Sequence, residues 1–387
     1  IYDGDALKKC EIGGGLYGLP QFGQVTVKDV GEGFFYREDL RREWGLEEIH
    51  DLDTMEAYLY RAKQEERYRD APLVTDNRIW SSLWLLITKG KYLEVNSSLE
   101  TPFVVVEADN PYQALNRLET PEFQEVLAYI QKWKRDGILD PDMLSRSDNE
   151  GELGRNLVLA DKKPCETNNP AWSISSHWIP VLYAGHPDWE FGFFPYLSQN
   201  EKHYASSLAG NSVISISAKT TEPELALKLL EKIHTDQRYY ALVAYGVEGS
   251  NYNLVDGKIN FDGIGPDTRF AWTAAADDIM NYEAVPVNRQ WSEGPDLAVR
   301  EWWDEIGKTA LDDPLDGFNF VLPEKEEEAM DQVWLQYFQP LVCGYGEDYQ
   351  AELEKVTERM YESGFDRYLE TIQEQLAECR AANRDGS

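Results

Sequence analysis

The alternation of two element types between residues 33 and 137 limits the folds open to this chain more than any other feature. GFFYREDLRREWGL begins with an apolar patch at residues 34–36 and continues as a polar helical pattern closed by Gly45. DLDTMEAYLYRAKQ follows, with Asp51 or Asp53 as N-cap and Met55, Leu59 and Ala62 at helical spacing. PLVTDNRIWSSLWLLITKG offers an apolar strand start and a polar tripeptide, then Trp80 and Trp84 four residues apart on a helix. In ETPFVVVEADNPYQALNRLETPEFQEVLAYIQKWKRDGILD a strand and a turn lead into another helix. Thr120 and Pro121 start that helix, Phe123, Leu127, Ile130 and Trp133 line one face, and Gly137 ends it. Such alternation points to an α/β protein rather than an all-α or all-β one.

The later segments vary the theme. Residues 145–215 read as irregular and aromatic, through PCETNNPAWSISSHWIP and HPDWEFGFFPYL, until alternation at residues 212–217 marks a strand. TEPELALKLLEKIHTD is an amphipathic helix, with Pro223 in its first turn and Leu225, Leu229 and Ile233 expected to face inward. Two helices span residues 348–380, separated by Gly364. Their inner faces read as Leu353, Val356 and Met360, then Phe365, Leu369, Ile372 and Leu376. At 387 residues the chain exceeds what one hydrophobic core serves, so two lobes are expected.

Charge removes whole classes of function. Seventy acidic residues against 37 basic ones give a net charge of −33, with no cluster of Lys and Arg to neutralise phosphates, so no nucleic-acid partner is expected. Adhesion to anionic lipid is disfavoured for the same reason. Four cysteines (Cys10, Cys165, Cys343 and Cys379) lack metal-type spacing and read as free buried thiols. Five scattered histidines make no metal motif, so neither a metal nor a cofactor is expected.

The N-terminal stretch GGGLYGLPQFG is a turn feeding a short extended segment, because Gly permits positive φ and Pro biases its predecessor toward β. A short strand needs sheet neighbours. Ile1 is not an initiator Met, so a signal segment is neither present nor excluded.

YGLPQFG, GFFYREDLRREWGL, TPEFQEVLAYIQKWKRDGILDPD, SISAKTTEPELALKLLEKIHTDQRYYALVAYGVEG and the long run at residues 315–378 occur in an order that resembles one family. It is the family 1 extracellular solute-binding proteins of bacterial carbohydrate ABC importers, in the lipoprotein subgroup with an extra C-terminal helical region. Residues 317–378 carry most of the likeness.

The resemblance implies a two-lobed, periplasmic-binding-protein-like (type II) α/β fold with hinge strands, the first part of lobe one missing. Residues 1–22 would be a remnant of lobe one and the hinge, and 23–211 lobe two. Residues 212–313 would form the hinge return and the rest of lobe one, and 314–387 the completion of lobe two with the C-terminal helices. The implied function is capture of an oligosaccharide in an interlobe cleft and its delivery to a membrane ABC permease. The implied protein is a monomer on the extracellular face of the cytoplasmic membrane, held by a lipid anchor absent from this chain.

Sugars present apolar C–H faces and a ring of hydroxyls, so their sites combine aromatic platforms with planar polar side chains. In PCETNNPAW, Asn168 and Asn169 precede a Pro-held turn presenting Trp172, and a loop Trp at this place in the family stacks on ligand. VTDNRIW puts Asp76, Asn77 and Arg78 at a strand end, with Trp80 just beyond. Gln21 and Phe22 would follow the crossover, Trp272 and Trp291 would come from the return pass, and Phe318 and Asn319 would follow the final crossover. Two other functions are open to the residues alone: a binding protein for peptides or another non-sugar solute, and a glycoside-active enzyme using paired carboxylates.

Overall fold

The computed structural model describes residues 7, 10–12, 15–20, 25–27, 32–95, 103–145, 150–167, 185–207, 213–244, 246–255, 258–260, 302, 305–316, 320 and 324–385. The chain divides into two compact units. Unit 1 comprises Ile1–Lys28, Tyr204–Leu297 and Asp316–Asn319, and unit 2 comprises Asp29–His203, Ala298–Leu315 and Phe320–Ser387. Among the described residues no helix is long and apolar enough to cross a membrane.

Unit 2 opens with β1 (Gly33–Arg37), buried along its whole length, and α1 (Glu38–Glu43), which ends where Gly45 takes a φ of 68°. α2 (Leu52–Gln64) buries Met55, Leu59 and Ala62, and α3 (Ile79–Thr88) buries both Trp80 and Trp84. The antiparallel meander β2 (Tyr92–Glu94), β3 (Val104–Glu107) and β4 (Asn110–Asn116) follows. Then come α4 (Pro121–Arg135), α5 (Glu150–Leu159), β5 (Cys165–Glu166) and β6 (Phe191–Pro195). β1 lies between β6 and β5, antiparallel to both. The C-terminal part supplies α6 (Glu324–Val333), a π-helical turn at Trp334–Phe338, α7 (Tyr349–Glu362) and α8 (Phe365–Asp385).

Among the described residues, several strands lie where the sequence suggests none, β4 and β6 among them. β4 replaces the expected turn after β3, and its Pro111 is tolerated because β4 is the edge of its sheet. That edge is covered: the Gln373 side chain on α8 accepts from the Ala114 amide at 2.9 Å and donates to the Tyr112 carbonyl oxygen at 3.0 Å. β6 forms within the aromatic stretch read as irregular and pairs residue for residue with β1. Gly192 makes that pairing possible, since a Cβ there would meet the Tyr36 ring at 2.4 Å. Phe35, Val158 and Phe191 then close a buried cluster over the sheet.

In unit 1, Glu11–Ile12 pairs with Gly15–Leu16, Leu19–Pro20 with Val213–Ile214, Val25–Val27 with Tyr204–Ser207, and Asn253–Val255 with Lys258–Asn260, all antiparallel. Of the strand expected over residues 212–217, the described residues 213–217 form a ladder only at Val213–Ile214. Beyond it the Ser215 hydroxyl, not a backbone group, donates to the Tyr17 carbonyl oxygen at 2.8 Å. Helix Pro223–Thr235 corrects a second expectation: Leu225 and Leu229 are 62% and 52% exposed, and only Ile233 of the three is buried. The inward stripe is Ala226, Leu230 and Ile233, spaced four and three apart, whereas a strict spacing of four drifts around the helix.

The C-terminal helices follow their expected inner faces, with one shift. Leu353, Val356, Met360, Phe365, Ile372 and Leu376 are buried, but Leu369 is half-buried and Tyr368 takes the core position. Gly364, at a φ of 96°, turns the chain between them. Cys10, Cys165, Cys343 and Cys379 are all buried and form no disulfide with one another.

Candidate functional site

The site is built where β5 ends and α3 begins, both in unit 2. Asp76 is buried, yet its carboxylate accepts from the Arg78 amide at 2.8 Å and from the Arg78 guanidinium at 3.3 and 3.1 Å. An Asp that bonds its own backbone two residues on closes a turn, and that turn starts α3: the Ile79 amide donates to the Asp76 carbonyl oxygen. The Arg78 head is 44% exposed. Its guanidinium is therefore held in one plane by a buried partner on its Nε and Nη2 side, while the side chain stays part-exposed, a planar cationic group in a fixed orientation. Asn77, between them, is half-buried.

Beside this turn sits a set of fully buried polar groups. The Lys163 ammonium donates to Glu166 Oε2 at 2.8 Å and to the Thr75 hydroxyl at 3.0 Å. Glu166 Oε1 accepts from the Thr167 amide at 3.2 Å. The Thr167 carbonyl oxygen accepts from the Ser82 hydroxyl at 3.3 Å and from the Tyr196 hydroxyl. Burial pushes the Glu166 carboxyl up, against the opposing pull of Lys163. Gly154 on α5 admits the carboxylate, since a Cβ there would lie 1.9 Å from Glu166 Oε2.

Of the residues that the sequence singles out, Asp76, Asn77, Arg78 and Trp80 fall in the described structure. Asp76, Asn77 and Arg78 form the turn above. Trp80 is 2% exposed, its ring edge-on to Phe123, Trp334 and Phe338, with the Arg117 guanidinium 5.3 Å from its centroid. That ring is a core side chain of unit 2, not an open platform. Trp84 is core as well, stacked on Tyr92. Gln21, Phe22, Asn168, Asn169, Trp172, Trp272, Trp291, Phe318 and Asn319 lie outside the described residues. Lys163, Glu166, Thr75, Ser82 and Tyr196 escaped the sequence reading. Their one signal was a Lys and a Glu three apart around Cys165, which an acidic chain does not make conspicuous.

A family described as a domain of unknown function (DUF3502) matches residues 314–381, the part that carries most of the sequence likeness. A curated relative from Streptococcus pneumoniae, a carbohydrate ABC transporter substrate-binding protein, is 22% identical over 380 residues, covering 96% of this chain and 71% of its own length. Among solved structures, the N-glycan transport solute-binding protein NgtS of Streptococcus pneumoniae superposes with a TM-score of 0.69 at 16% identity, covering 98% of this chain and 78% of NgtS. A solute-binding protein from Bifidobacterium longum infantis, described as binding HMO and associated with an ABC transporter, gives 0.62 at 15%, covering 96% and 79%. The chain has the periplasmic solute-binding-protein fold, α/β in class, and the resemblance drawn from its sequence stands.

Proposed function

We propose that this protein captures an oligosaccharide outside the cytoplasmic membrane and delivers it to the permease of an ABC importer, without catalysis. The observation that carries the reading is the Asp76-held Arg78 fork, adjoining the buried set that ends at Thr167, from which the chain passes directly into Asn168, Asn169 and Trp172. A planar cationic donor, amide side chains and an aromatic ring are the components a neutral sugar requires. The similar proteins support the substrate class: NgtS has been solved with Man1GlcNAc and with Man5GlcNAc.

In this reading Asp76, Asn77, Arg78, Asn168, Asn169 and Trp172 supply one part of the site, and Gln21, Phe22, Trp272, Trp291, Phe318 and Asn319 another. Trp80 belongs to the core of unit 2 and not to the site. The protein acts as a monomer and is held at the membrane by a lipid anchor.

Titration of intrinsic tryptophan fluorescence with plant, host and storage oligosaccharides tests the proposal. A saturable shift with one sugar class is expected. Silence across the panel from folded protein, with a shift on adding basic peptides, would replace the sugar with a peptide ligand.

A further inference from the structure

A buried ion pair is a poor choice for stability alone, because well-packed apolar side chains of similar volume commonly do as well or better. Lys163 and Glu166 are such a pair, with side chains 0% and 2% exposed. Their further bonds lie on two stretches of chain, the one that leads into α3 and their own. Lys163 reaches Thr75, the residue before Asp76, and Glu166 reaches the amide of Thr167, the residue before Asn168. The Thr167 carbonyl oxygen is held in turn by Ser82 on α3 and by Tyr196 after β6. Within this set, among the described residues, the equally buried Thr167 hydroxyl has no hydrogen-bond partner.

We propose that Lys163 and Glu166 are positioning residues, which tie the turn carrying Arg78 to Thr167 at the end of β5, so that the two stand at a fixed spacing when a ligand binds. This rests on the oligosaccharide-binding reading and adds to it the residues that set the spacing. Neither side chain touches the ligand. Their effect is preorganisation: a site whose parts are already in register loses less freedom when it binds. Gly154 belongs to the same device, because the close passage of α5 over Glu166 depends on a missing Cβ.

Two variants of the intact protein test this, each by hydrogen exchange without sugar and by sugar titration. K163M/E166M replaces the pair with apolar side chains of similar length and is expected to fold, since it leaves no lone buried charge. T75V keeps the ion pair and removes only the tie to the Arg78 turn. Faster exchange of amides in residues 165–172 is expected in K163M/E166M, together with affinity about tenfold weaker, near the limit set by one or two lost ordering contacts. T75V is expected to weaken affinity several-fold with exchange at residues 165–172 close to that of the parent.

Wild-type exchange and affinity in both variants would overturn the positioning role while leaving sugar binding intact. Altered exchange in K163M/E166M from a protein that binds no sugar would keep the tie and remove the oligosaccharide reading. If K163M/E166M fails to fold, T75V decides alone, and unchanged affinity in it overturns the proposal.

Discussion

Trp80 and Phe338 meet edge to face, with ring centroids 5.4 Å apart and planes at 88°. Phe338 also stacks on Phe123 at 5.7 Å and lies edge-on to Phe103 at 5.4 Å. Trp80, Phe103 and Phe123 come from the first third of the chain, whereas Phe338 lies within the segment matched by DUF3502. That segment therefore supplies the centre of the unit 2 core and is not an appendage to it. The Gln373 bonds along the β4 edge make the same connection through polar groups.

Phe338→Ala is expected to destabilise unit 2 by about 3–5 kcal/mol, the usual cost of deleting a fully buried ring from a packed cluster. Urea unfolding followed by near-ultraviolet circular dichroism measures it. A loss below about 1 kcal/mol would mean that the C-terminal segment only lies against the core.

The two tryptophans that the sequence put forward should separate by phenotype. Trp80→Leu removes core volume, so a lower melting temperature with unchanged sugar affinity of the folded protein is expected. Trp172→Ala is expected to do the reverse, weakening sugar binding by about 1–3 kcal/mol with little change in melting temperature. Calorimetric titration beside thermal melts of both variants gives the answer, and the opposite pairing would exchange their roles.

The sequence left the N-cap of α2 between Asp51 and Asp53, and the structure selects Asp51. Its carboxylate accepts from the Thr54 amide at 2.8 Å, while the Thr54 hydroxyl accepts from the Asp51 amide at 3.0 Å. Asp53 is exposed. Asp51→Ala should therefore cost about 0.5–2 kcal/mol in chemical unfolding, and Asp53→Ala less than about 0.5 kcal/mol. Equal losses would remove the reciprocal cap as the reason.

Local signals made the helices legible. Thr120, Pro121 and Gly137 bracket α4, and Phe123, Leu127, Ile130 and Trp133 face inward as their spacing requires. Strands without such punctuation were harder to read. β6 has no alternation, because buried Phe191 shares its face with half-buried Phe193 and Pro195 while Phe194 is buried on the other, and β4 begins at an Asn-Pro that reads as a turn. The candidate site divides the same way. Asp76 and Arg78 were visible because polar residues at a strand end stand out, but burial of Trp80 depends on Phe338, more than two hundred residues away. The Lys163 and Glu166 pair depends on a fold that excludes water, which composition cannot express.

Glu38, in the first turn of α1, offers a test by pH. Its carboxylate accepts from Arg41 Nε and from a second Arg41 nitrogen, both at 2.7 Å, and from Arg42 Nε at 2.8 Å. Its side chain is 14% exposed. Burial alone would raise the carboxyl, but the hydrogen bonds and charges of Arg41 and Arg42 outweigh it and hold the group below the usual carboxylate range. A carboxyl depressed in the folded state adds stability above its unfolded value and loses it as pH falls through the folded one. Glu38→Gln keeps the shape and removes the titration, so a deficit of about 1.5–3 kcal/mol is expected near neutrality, the scale of hydrogen bonds to a charged group. That deficit should shrink as pH drops from about 5 toward about 2, because wild type loses what the variant never had. Urea midpoints of both proteins at steps through this range decide the matter, and a gap that stays constant with pH would mean that the Arg41 contacts act through packing rather than charge.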